Sequence, residues 1–513
     1  MLAETSASTT TAPEHFDVLI IGAGLSGIDA AYHLKKFCPG KSYIILEQRK
    51  RIGGTWDLFR YPGIRSDSDM LTMGYSFKPW THPRSISPGE DIRAYITATA
   101  REEGIDGHIR FRHQIRRASW SSSEARWTLE AVRQTETGEQ PVTLTCNFLF
   151  SCAGYYRYSA GYLPEFPNTE NFKGRIIHPQ AWPEDLDYAG KKVLIIGSGA
   201  TAVTLLPAMA KTAGHVTMLQ RSPTYVISAP EKDRIANFLR HIMPAMWAYK
   251  LSRWKNVGYM IYVYQFSQRF PNFAKKALVK KVRKQLGADF DVETHFTPRY
   301  RPWEQRMCLV PDADLFEAIK SGRAGVVTDE VETFTEKGIL LKSGKELEAD
   351  IVVTATGLVM QVCGGAELTV DGERVDISRV LAYKGVMMSG VPNFASVFGY
   401  TNASWTLKAD LICNYVCRLL NLMDRKGVRQ VTPKLRGETA VAPFVQKFTP
   451  GYINRALASW PKQGARAPWR VYQNYFRDTL ALKWSRIDDG ALEFSNPVPA
   501  SSRERLKFAE AAQ

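Results

Sequence analysis

The chain has 513 residues, more than one ordinary hydrophobic core accommodates, so its length predicts two or three domains. Apolar residues make up 44% and charged residues 23%, which is typical of a folded globular protein and excludes a disordered one. The formal net charge of +16 indicates an anionic partner: a nucleic acid, a membrane surface or a cofactor. Because no nucleic-acid-binding motif accompanies this charge, we expect no nucleic-acid partner.

The N-terminal segment and the cysteines indicate where in the cell the protein is located. Residues 1–14 are rich in Ser and Thr and lack the pattern of a signal peptide, so we expect a flexible tail there. No apolar run reaches the roughly 18 residues that a membrane-spanning helix needs. The seven cysteines are scattered without a C-x-x-C pair, which predicts reduced thiols, no metal site and a cytoplasmic location. Contact with a membrane surface stays open, as does the choice between a monomer and a homo-oligomer.

The first βαβ unit begins at residue 16. A buried strand over 16–21 leads into the glycine turn GAGLSG over 22–27, then a helix, then a second strand over 43–46. In such a turn the first glycine allows the bend, the second admits a pyrophosphate, and the third lets the helix pack on the strand. An acid twenty residues after the turn accepts from a ribose hydroxyl, which favours FAD. The predicted FAD-binding residues of this unit are Gly22, Gly24, Ser26, Gly27 and Glu47.

A second βαβ unit begins at residue 192. Its strand leads into the turn GSGATA over 197–202, and the next strand is predicted over 216–219. Where the first unit has an acid, this unit has Arg221, whose guanidinium pairs with a 2′-phosphate. The second site is therefore predicted to bind NADPH in preference to NADH. Its predicted cofactor-binding residues are Gly197, Ser198, Gly199, Ala200, Thr201, Ala202, Arg221 and Ser222.

Two similar strand ends, over 148–154 and 350–357, bracket the second unit. This arrangement predicts an α/β fold with two Rossmann-like dinucleotide-binding domains, in which the NADP domain is inserted into the FAD domain. The predicted boundaries are 15–155 and 340–490 for the FAD domain, 156–339 for the NADP domain, and 491–513 for a C-terminal tail.

Residues 234–290 interrupt the α/β pattern with a helical insertion. This segment mixes tryptophans and tyrosines with a basic run over 275–284. Two interpretations remain open: a helical cap over an apolar, roomy substrate cleft, or an amphipathic surface that touches a membrane.

Two dinucleotide sites are compatible with disulfide reductases, amine oxidases and monooxygenases. Disulfide reductases need a redox cysteine pair beside the flavin, and after Cys38 the next cysteine is Cys146. The cysteine positions therefore argue against that class.

Two further motifs resemble one family. The segment GGTWDLFRYPGIRSD over 53–67 and the segment FKGRIIHPQAWP over 172–183 are similar to the signatures of type I Baeyer–Villiger monooxygenases. Residues 57–59, 64–69, 296–300 and 461–464 resemble the ethionamide-activating branch of that family. The resemblance extends from about residue 15 to residue 490. It implies that Thr55, Trp56, Asp57, Leu58, Arg65, Ser66 and Asp67 contact the cofactors.

The resemblance also implies a reaction. NADPH reduces FAD, O2 adds at C4a of the flavin, and the resulting peroxide attacks a ketone to give an ester or a lactone. Arg306 stands at the position of the family's catalytic arginine, which stabilises the anionic peroxide, and Asp67 at that of the acid that orients it. Many members have Lys-Arg where this chain has Gln305 before Arg306. His178 is expected to act as a hinge residue, and Trp405 to line the substrate cleft or to pack in the core.

Two other functions stay open. A flavin monooxygenase that oxygenates nitrogen or sulfur is the nearest alternative, and sulfoxidation is a compatible side activity of the main hypothesis. A flavoprotein without turnover, such as a redox-sensing module, is the alternative from another class. The sequence does not indicate which ketone is used.

Overall fold

The computed structural model describes residues 12–437 and 440–497. Thirteen α-helices are assigned in this part of the chain. They are α1 (Leu25–Phe37), α2 (Thr55–Leu58), α3 (Met70–Met73), α4 (Gly89–Glu102), α5 (Ala200–Met209), α6 (Arg234–Ile242), α7 (Ala245–Arg269), α8 (Pro271–Leu286), α9 (Val292–Phe296), α10 (Asp314–Lys320), α11 (Trp405–Lys426), α12 (Gly451–Ala456) and α13 (Tyr475–Thr479). A π-helical turn, Leu480–Trp484, follows α13.

The strands of the described residues fall into two large sheets and several short hairpins. They are β1 (Glu14–Ile21), β2 (Tyr43–Glu47), β3 (Ile109–Phe111), β4 (His113–Ser121), β5 (Arg126–Thr135), β6 (Gly138–Ser151), β7 (Arg175–Ile177), β8 (Lys192–Ile196), β9 (His215–Gln220), β10 (Val226–Ala229), β11 (Cys308–Pro311), β12 (Ala324–Thr328), β13 (Val331–Phe334), β14 (Gly338–Leu341), β15 (Glu346–Glu348), β16 (Ile351–Thr354), β17 (Glu367–Val370), β18 (Glu373–Arg374), β19 (Ala382–Tyr383), β20 (Met387–Met388), β21 (Phe394–Ser396), β22 (Gln430–Pro433), β23 (Val441–Pro443), β24 (Lys462–Gly464) and β25 (Leu492–Ser495).

The first sheet contains the predicted first βαβ unit. Its order is β18-β17-β4-β5-β6-β1-β2-β3, and β21 pairs with β6. Strand β1 pairs in parallel with both β2 and β6, and residues 18–21 of β1 are buried because helices and sheet cover both faces. Strands β17, β18 and β21 come from far later in the chain than β1 to β6. The first sheet is therefore built from two separate stretches of chain.

The second sheet contains the predicted second βαβ unit. Its order is β12-β9-β8-β16-β7, and every pairing is parallel. Strand β16 pairs with β8, with Val353 opposite Ile195. The predicted domain boundary at residue 340 therefore falls too early, because β16 belongs to the second sheet and the chain returns to the first sheet only afterwards. The hydrophobic strand alone did not reveal which sheet it joins.

The insertion predicted over 234–290 is helical, as expected, with α6, α7 and α8 following one another. Helix α7 packs on α3, where Arg253 donates from Nη1 to the carbonyl oxygens of Leu71, Thr72 and Gly74 at 2.8–3.0 Å. These bonds give the Nη1 group of this buried cation its partners in the interface. None of the helices in the described ranges is long and apolar enough to cross a membrane.

Both predicted tails lie partly outside the described residues. Residue 14, assigned to the N-terminal tail, begins β1, while residues 1–11 are outside the described part. In the predicted tail over 491–513, strand β25 pairs antiparallel with β22, and residues 498–513 are outside the described part. The predicted start of the C-terminal tail at residue 491 is therefore wrong, because Leu492 is buried by this pairing.

Candidate active site

A cavity of about 880 Å³ lies where the carboxyl ends of strands from both sheets meet. Both glycine turns, over 22–27 and 197–202, contribute to its wall, together with Asp67 and Arg306. Ligands bind at this end of parallel sheets because the loops after the strands leave a crevice there. No residue between 234 and 290 lines the cavity. The expectation that the helical insertion forms the wall of the substrate cleft is therefore not supported by this cavity.

The first glycine turn requires glycine at two positions for different reasons. Gly22 has φ +96°, and a Cβ there would lie 2.9 Å from the carbonyl oxygen of Cys152. A Cβ on Gly27 would lie 1.8 Å from the carbonyl oxygen of Gly22, so Gly27 allows α1 to pack on the turn. Gly22, Gly24 and Ser26 line the cavity, whereas Gly27 does not. The division of roles predicted for the glycines matches this geometry.

Glu47 ends β2 beside this turn and is almost completely buried. Its carboxylate accepts from the backbone N–H of Ala23 at 2.7 Å and from that of Arg49 at 2.8 Å. Burial raises the pKa of Glu47, while these two bonds oppose the rise. Since the carboxylate also lines the cavity, lone pairs remain for a ribose diol. The first turn and this acid together fit the adenosine half of FAD.

The segment over 53–67 divides into residues at the cavity and residues behind it. Asp57 and Leu58 do not line the cavity, in contrast to the predicted contact with cofactor. The Asp57 carboxylate is fully buried and accepts from Arg49 at 2.7 Å and from Arg60 at 2.6 Å, so its role in the structure is to hold arginines. The predicted contacts that do line the cavity are Thr55, Trp56, Arg65, Ser66 and Asp67.

Arg65 lines the cavity and also connects its two sides. Its Nη1 and Nη2 donate to the carboxylate of Asp314, at the start of α10, at 2.5 and 3.3 Å. Asp314 lies between β9 and β12 of the second sheet, whereas Arg65 lies in the loop before α3. The forked guanidinium therefore ties the first dinucleotide unit to the second.

The second glycine turn repeats the geometry of the first. Gly197 has φ +136°, and a Cβ there would lie 2.4 Å from the carbonyl oxygen of Ala355. Ser198 Oγ donates to the carbonyl oxygen of Ser222 at 3.1 Å, which connects the turn to the loop after β9. All the predicted NADPH contacts line the cavity except Ala202, which is buried in the core of α5.

Arg221 leaves β9 at the cavity wall and is exposed. Among residues 12–437 and 440–497 no carboxylate lies within 4.0 Å of its guanidinium. Lys342 and, more weakly, Arg221 lower the pKa of Glu330. The planar fork of an exposed guanidinium at this place can donate to two oxygens of a phosphate. The second turn therefore fits a dinucleotide that carries a 2′-phosphate.

Arg306 and Asp67 form an ion pair inside the cavity although 239 residues separate them. Arg306 Nε donates to Asp67 Oδ2 at 2.7 Å, and Nη2 donates to the same oxygen. The side chains keep 37% and 29% of their surface exposed toward the cavity. The carboxylate raises the pKa of the Arg306 guanidinium further above its usual range. The pair therefore presents a permanently charged, oriented cation to whatever occupies the cavity.

Three tyrosines near this arginine were missed by sequence reasoning. They are Tyr155 and Tyr156, whose hydroxyls are 2.8 Å apart, and Tyr452. Burial raises the pKa of each hydroxyl, and the positive charge of Arg306 only partly opposes that rise. Their hydroxyls therefore stay protonated and available as donors. Tyr155 and Tyr156 follow the small-residue end of β6, so their position after a parallel strand is a signal that was available. Tyr452 carried no local motif.

Trp405 lines the cavity and also packs against the core. Its ring is stacked on Tyr155 with the centroids 5.0 Å apart, and its Nε1 donates to Ser26 Oγ at 2.8 Å. Both predicted alternatives for Trp405 therefore describe part of its surroundings. The indole connects the first glycine turn to the tyrosines beside Arg306.

His178 lies outside the cavity, after β7 in the connection to β8 within the second sheet. Its Nδ1 accepts from the backbone N–H of Gln180 at 3.2 Å, and its Nε2 is 3.2 Å from the carbonyl oxygen of Gly357. Burial lowers the pKa of His178, which favours the neutral ring. Because Nδ1 accepts a hydrogen bond, the proton of the neutral ring lies on Nε2. The ring packs against Gly161, where a Cβ would collide with it. These contacts join the two crossings between the sheets, which agrees with a hinge position and not with direct chemistry.

Comparison with known proteins agrees with this geometry. The family model described as flavin-binding monooxygenase-like matches residues 15–389. The FAD-containing monooxygenase EthA of Mycolicibacterium smegmatis is 53% identical over 490 residues, 95% of this chain and 99% of the relative. The putative FAD-containing monooxygenase MymA of Mycobacterium tuberculosis is 50% identical over 487 residues, 94% of this chain and 98% of the relative.

Solved structures share the fold. An oxidized steroid monooxygenase bound to NADP superposes with a TM-score of 0.73 at 21% identity, covering 94% of this chain and all of the other. The closed form of cyclohexanone monooxygenase gives a TM-score of 0.68 at 20% identity, covering 82% and 87%. The predicted fold class is confirmed, as are the predicted class of flavin monooxygenase and its flavin cofactor. The chain belongs to the flavin-binding monooxygenase-like family.

Proposed function

We propose that this monooxygenase performs Baeyer–Villiger oxidation: with FAD, NADPH and O2 it inserts an oxygen atom beside a ketone carbonyl and gives an ester or a lactone. The observation that carries the proposal is the Arg306–Asp67 pair, exposed in the cavity that both glycine turns line. The reduced flavin, when bound, supplies activated oxygen. The residues of the chain supply position and charge.

Arg306 is the proposed catalytic residue. Attack of a nucleophile on a ketone places negative charge on the carbonyl oxygen, and a fixed cation near that oxygen lowers the barrier. Asp67 holds the guanidinium in one orientation, which removes the cost of arranging it during the reaction. A cation that never loses its proton also keeps the attacking oxygen in its anionic form. Nucleophilic attack on a carbonyl needs that form, whereas oxygenation of sulfur or nitrogen does not.

The two turns are proposed to bind separate cofactors. Gly22, Gly24 and Glu47 would hold the pyrophosphate and ribose of FAD, and Arg221 with Ser222 would hold the 2′-phosphate of NADPH. Support comes from the buried carboxylate at one site and the exposed guanidinium at the other. The fold shared with a steroid monooxygenase and a cyclohexanone monooxygenase, and the motif over 172–183, support the ketone as substrate class.

The test measures NADPH oxidation by the FAD-loaded enzyme with and without a panel of linear, cyclic and aryl ketones, with products identified by mass. We expect a ketone-dependent ester or lactone that carries one added oxygen. Recovery of every ketone unchanged during aerobic turnover would contradict the proposal. A thioether or amine oxidised in preference to every ketone would favour the sulfur- or nitrogen-oxygenating alternative. A flavin spectrum without NADPH-dependent oxygen uptake would favour a flavoprotein without turnover.

A further inference from the structure

Helices α6 and α7 present an unusually apolar face to the outside. Ile235, Phe238 and Ile242 of α6, and Trp247, Leu251 and Trp254 of α7, are each 50–64% exposed. Their spacing of three and four residues places them on one side of each helix. We call these six residues the apolar face. Exposed side chains of this size are normally scattered singly on a soluble protein, so a continuous row requires an explanation.

The side chains of the apolar face are not the side of α7 that packs against the protein core. Helix α7 already buries its opposite side, where Tyr249, Arg253 and Val257 contact the first domain. Arg253 alone bonds three backbone carbonyl oxygens of the segment around α3. The helix is therefore fixed in orientation, and its outer side chains point away from the body of the protein.

The apolar face continues onto a second element. The ring centroid of Trp254 lies 6.2 Å from that of Tyr475, which begins α13. From there Phe476, Leu480 and Trp484 follow one another at intervals of four residues, and each is 43–66% exposed. Two stretches of chain that are more than 200 residues apart therefore meet in one exposed apolar surface.

The charge around the apolar face is of one sign. Residues 234–286 contain twelve lysines and arginines and neither aspartate nor glutamate. Lys276, Lys280 and Lys281 of α8 are exposed, and none of them is within 4.0 Å of a carboxylate of the residues that the structure describes. Helix α8 contacts α7, so these lysines belong to the same helical insertion as the apolar face, and within α7 itself Lys250 Nζ lies 5.7 Å from the ring centroid of Trp247.

We infer that the apolar face and the α8 lysines form a docking surface for a bilayer that contains anionic lipids. Tryptophan and tyrosine favour the boundary between lipid headgroups and acyl chains, and lysines beside them attract anionic headgroups. A second copy of the chain fits less well, because a symmetric contact would bring the same uncompensated lysines together. The surface lies on the membrane and does not cross it, since none of the described helices is suited to spanning.

The inference does not depend on which substrate the enzyme oxidises. The FAD-loaded, full-length enzyme is mixed with vesicles of phosphatidylcholine, alone or with about 30 mol % phosphatidylglycerol, and the bound fraction is measured by sedimentation. We expect binding to the anionic vesicles and little to the neutral ones. Raising NaCl to about 0.5 M should weaken that binding, because salt screens exposed charges.

Two variants separate the apolar and the charged contribution. The triple substitution Trp247→Gln, Leu251→Gln, Trp254→Gln, and separately Lys276→Gln, Lys280→Gln, Lys281→Gln, should each lower the vesicle partition coefficient at least about tenfold. A matched control, Leu435→Gln with Val441→Gln, removes exposed apolar side chains elsewhere and should leave binding unchanged. NADPH oxidation should be unchanged in all three, because none of these residues lines the cavity.

Three outcomes would overturn the inference. The first is a wild-type enzyme that binds neither kind of vesicle, which needs no variant to interpret. The second is equal binding by the wild-type enzyme and the tryptophan variant. The third is self-association that the tryptophan variant abolishes, seen by sedimentation velocity without any vesicle binding, which would assign the face to a second copy. Failure of ketone oxidation would leave the vesicle result unaffected, so the two proposals fail separately.

Discussion

The two glycine turns have almost the same backbone and opposite chemistry beside it. Gly22 and Gly197 both have positive φ, and at both a Cβ would meet the carbonyl oxygen of a residue that follows a neighbouring strand. Beside the first turn stands Glu47, which is buried and bonded to backbone N–H groups. Beside the second stands Arg221, which is exposed. In the proposed assignment, the turn creates a place for a pyrophosphate, and the residue that ends or follows the adjacent strand selects the dinucleotide.

The residues between the two turns show why both are needed in one cavity. Arg306 comes from the loop before β11 on the side of the second turn, and Asp67 from the segment that follows the first turn. Their ion pair forms only when both units are in place. The reacting centre therefore lies at the boundary that the two dinucleotide units share.

The largest expected effect comes from removing the Arg306 side chain from this boundary. Arg306→Ala should lower ester formation about 10³-fold, because it removes the cation nearest to the developing negative charge. Reduction of the flavin by NADPH, followed anaerobically by the loss of flavin absorbance, should stay near the wild-type rate. Arg306→Lys keeps the charge but loses the forked geometry, so it should retain part of the activity. Ester formation by Arg306→Ala at the wild-type rate would remove this residue from its proposed role.

The second turn is tested by removing its selective charge. Arg221→Ala should raise the KM for NADPH about 30- to 100-fold, since a charge-assisted contact to phosphate is lost, and should leave the KM for NADH nearly unchanged. Steady-state kinetics with both nucleotides measures the difference. Arg323→Ala is a matched control, because Arg323 is an exposed arginine of the same domain that does not line the cavity. An equal change in both KM values would contradict a 2′-phosphate contact.

The first turn is tested by neutralising its acid. Glu47→Gln should weaken FAD binding about tenfold, because the amide presents one acceptor where the carboxylate presents two. The FAD retained after dialysis, read from the ratio of flavin to protein absorbance, measures this loss. Glu336→Gln changes an exposed carboxylate far from the cavity and should retain full FAD content. Unchanged FAD content in Glu47→Gln would show that the acid serves the backbone alone.

The smallest expected effect concerns His178, which contacts both connections between the sheets. Burial lowers the pKa of His178 in the folded state, so the unfolded chain binds the proton more readily. This histidine should therefore cost stability as pH falls below its ordinary pKa of about 6.5. His178→Gln should lose less stability than the wild-type enzyme between pH 7 and pH 5, as measured by urea unfolding at both pH values. A larger acid-induced loss in the variant would contradict a neutral, buried ring.

Sequence and structure agree best where the interactions are local. Each βαβ unit places its strand, turn, helix and cofactor-selecting residue within about thirty residues, so hydrophobic pattern and glycine spacing were sufficient to predict them. The same holds for the helical character of the insertion, which depends on contacts within each helix. Asp57 was predicted to contact a cofactor, but in the structure it pairs with three arginines. A sequence motif does not indicate which of these surroundings a residue faces.

The remaining features depend on which distant segments meet. Strand β16 reads as a buried strand in either sheet, and only its pairing with β8 assigns it to the second. Tyr452 reaches the site from the C-terminal part of the chain, whereas no aromatic residue of the insertion over 234–290 lines the cavity and several of them are exposed. The amino-acid sequence alone therefore determined the two βαβ units, their glycine turns and the charged residue beside each turn, because neighbours in the chain encode them. The tertiary structure decided where Arg306 finds its carboxylate and which apolar residues stay exposed, because both depend on packing between segments hundreds of residues apart.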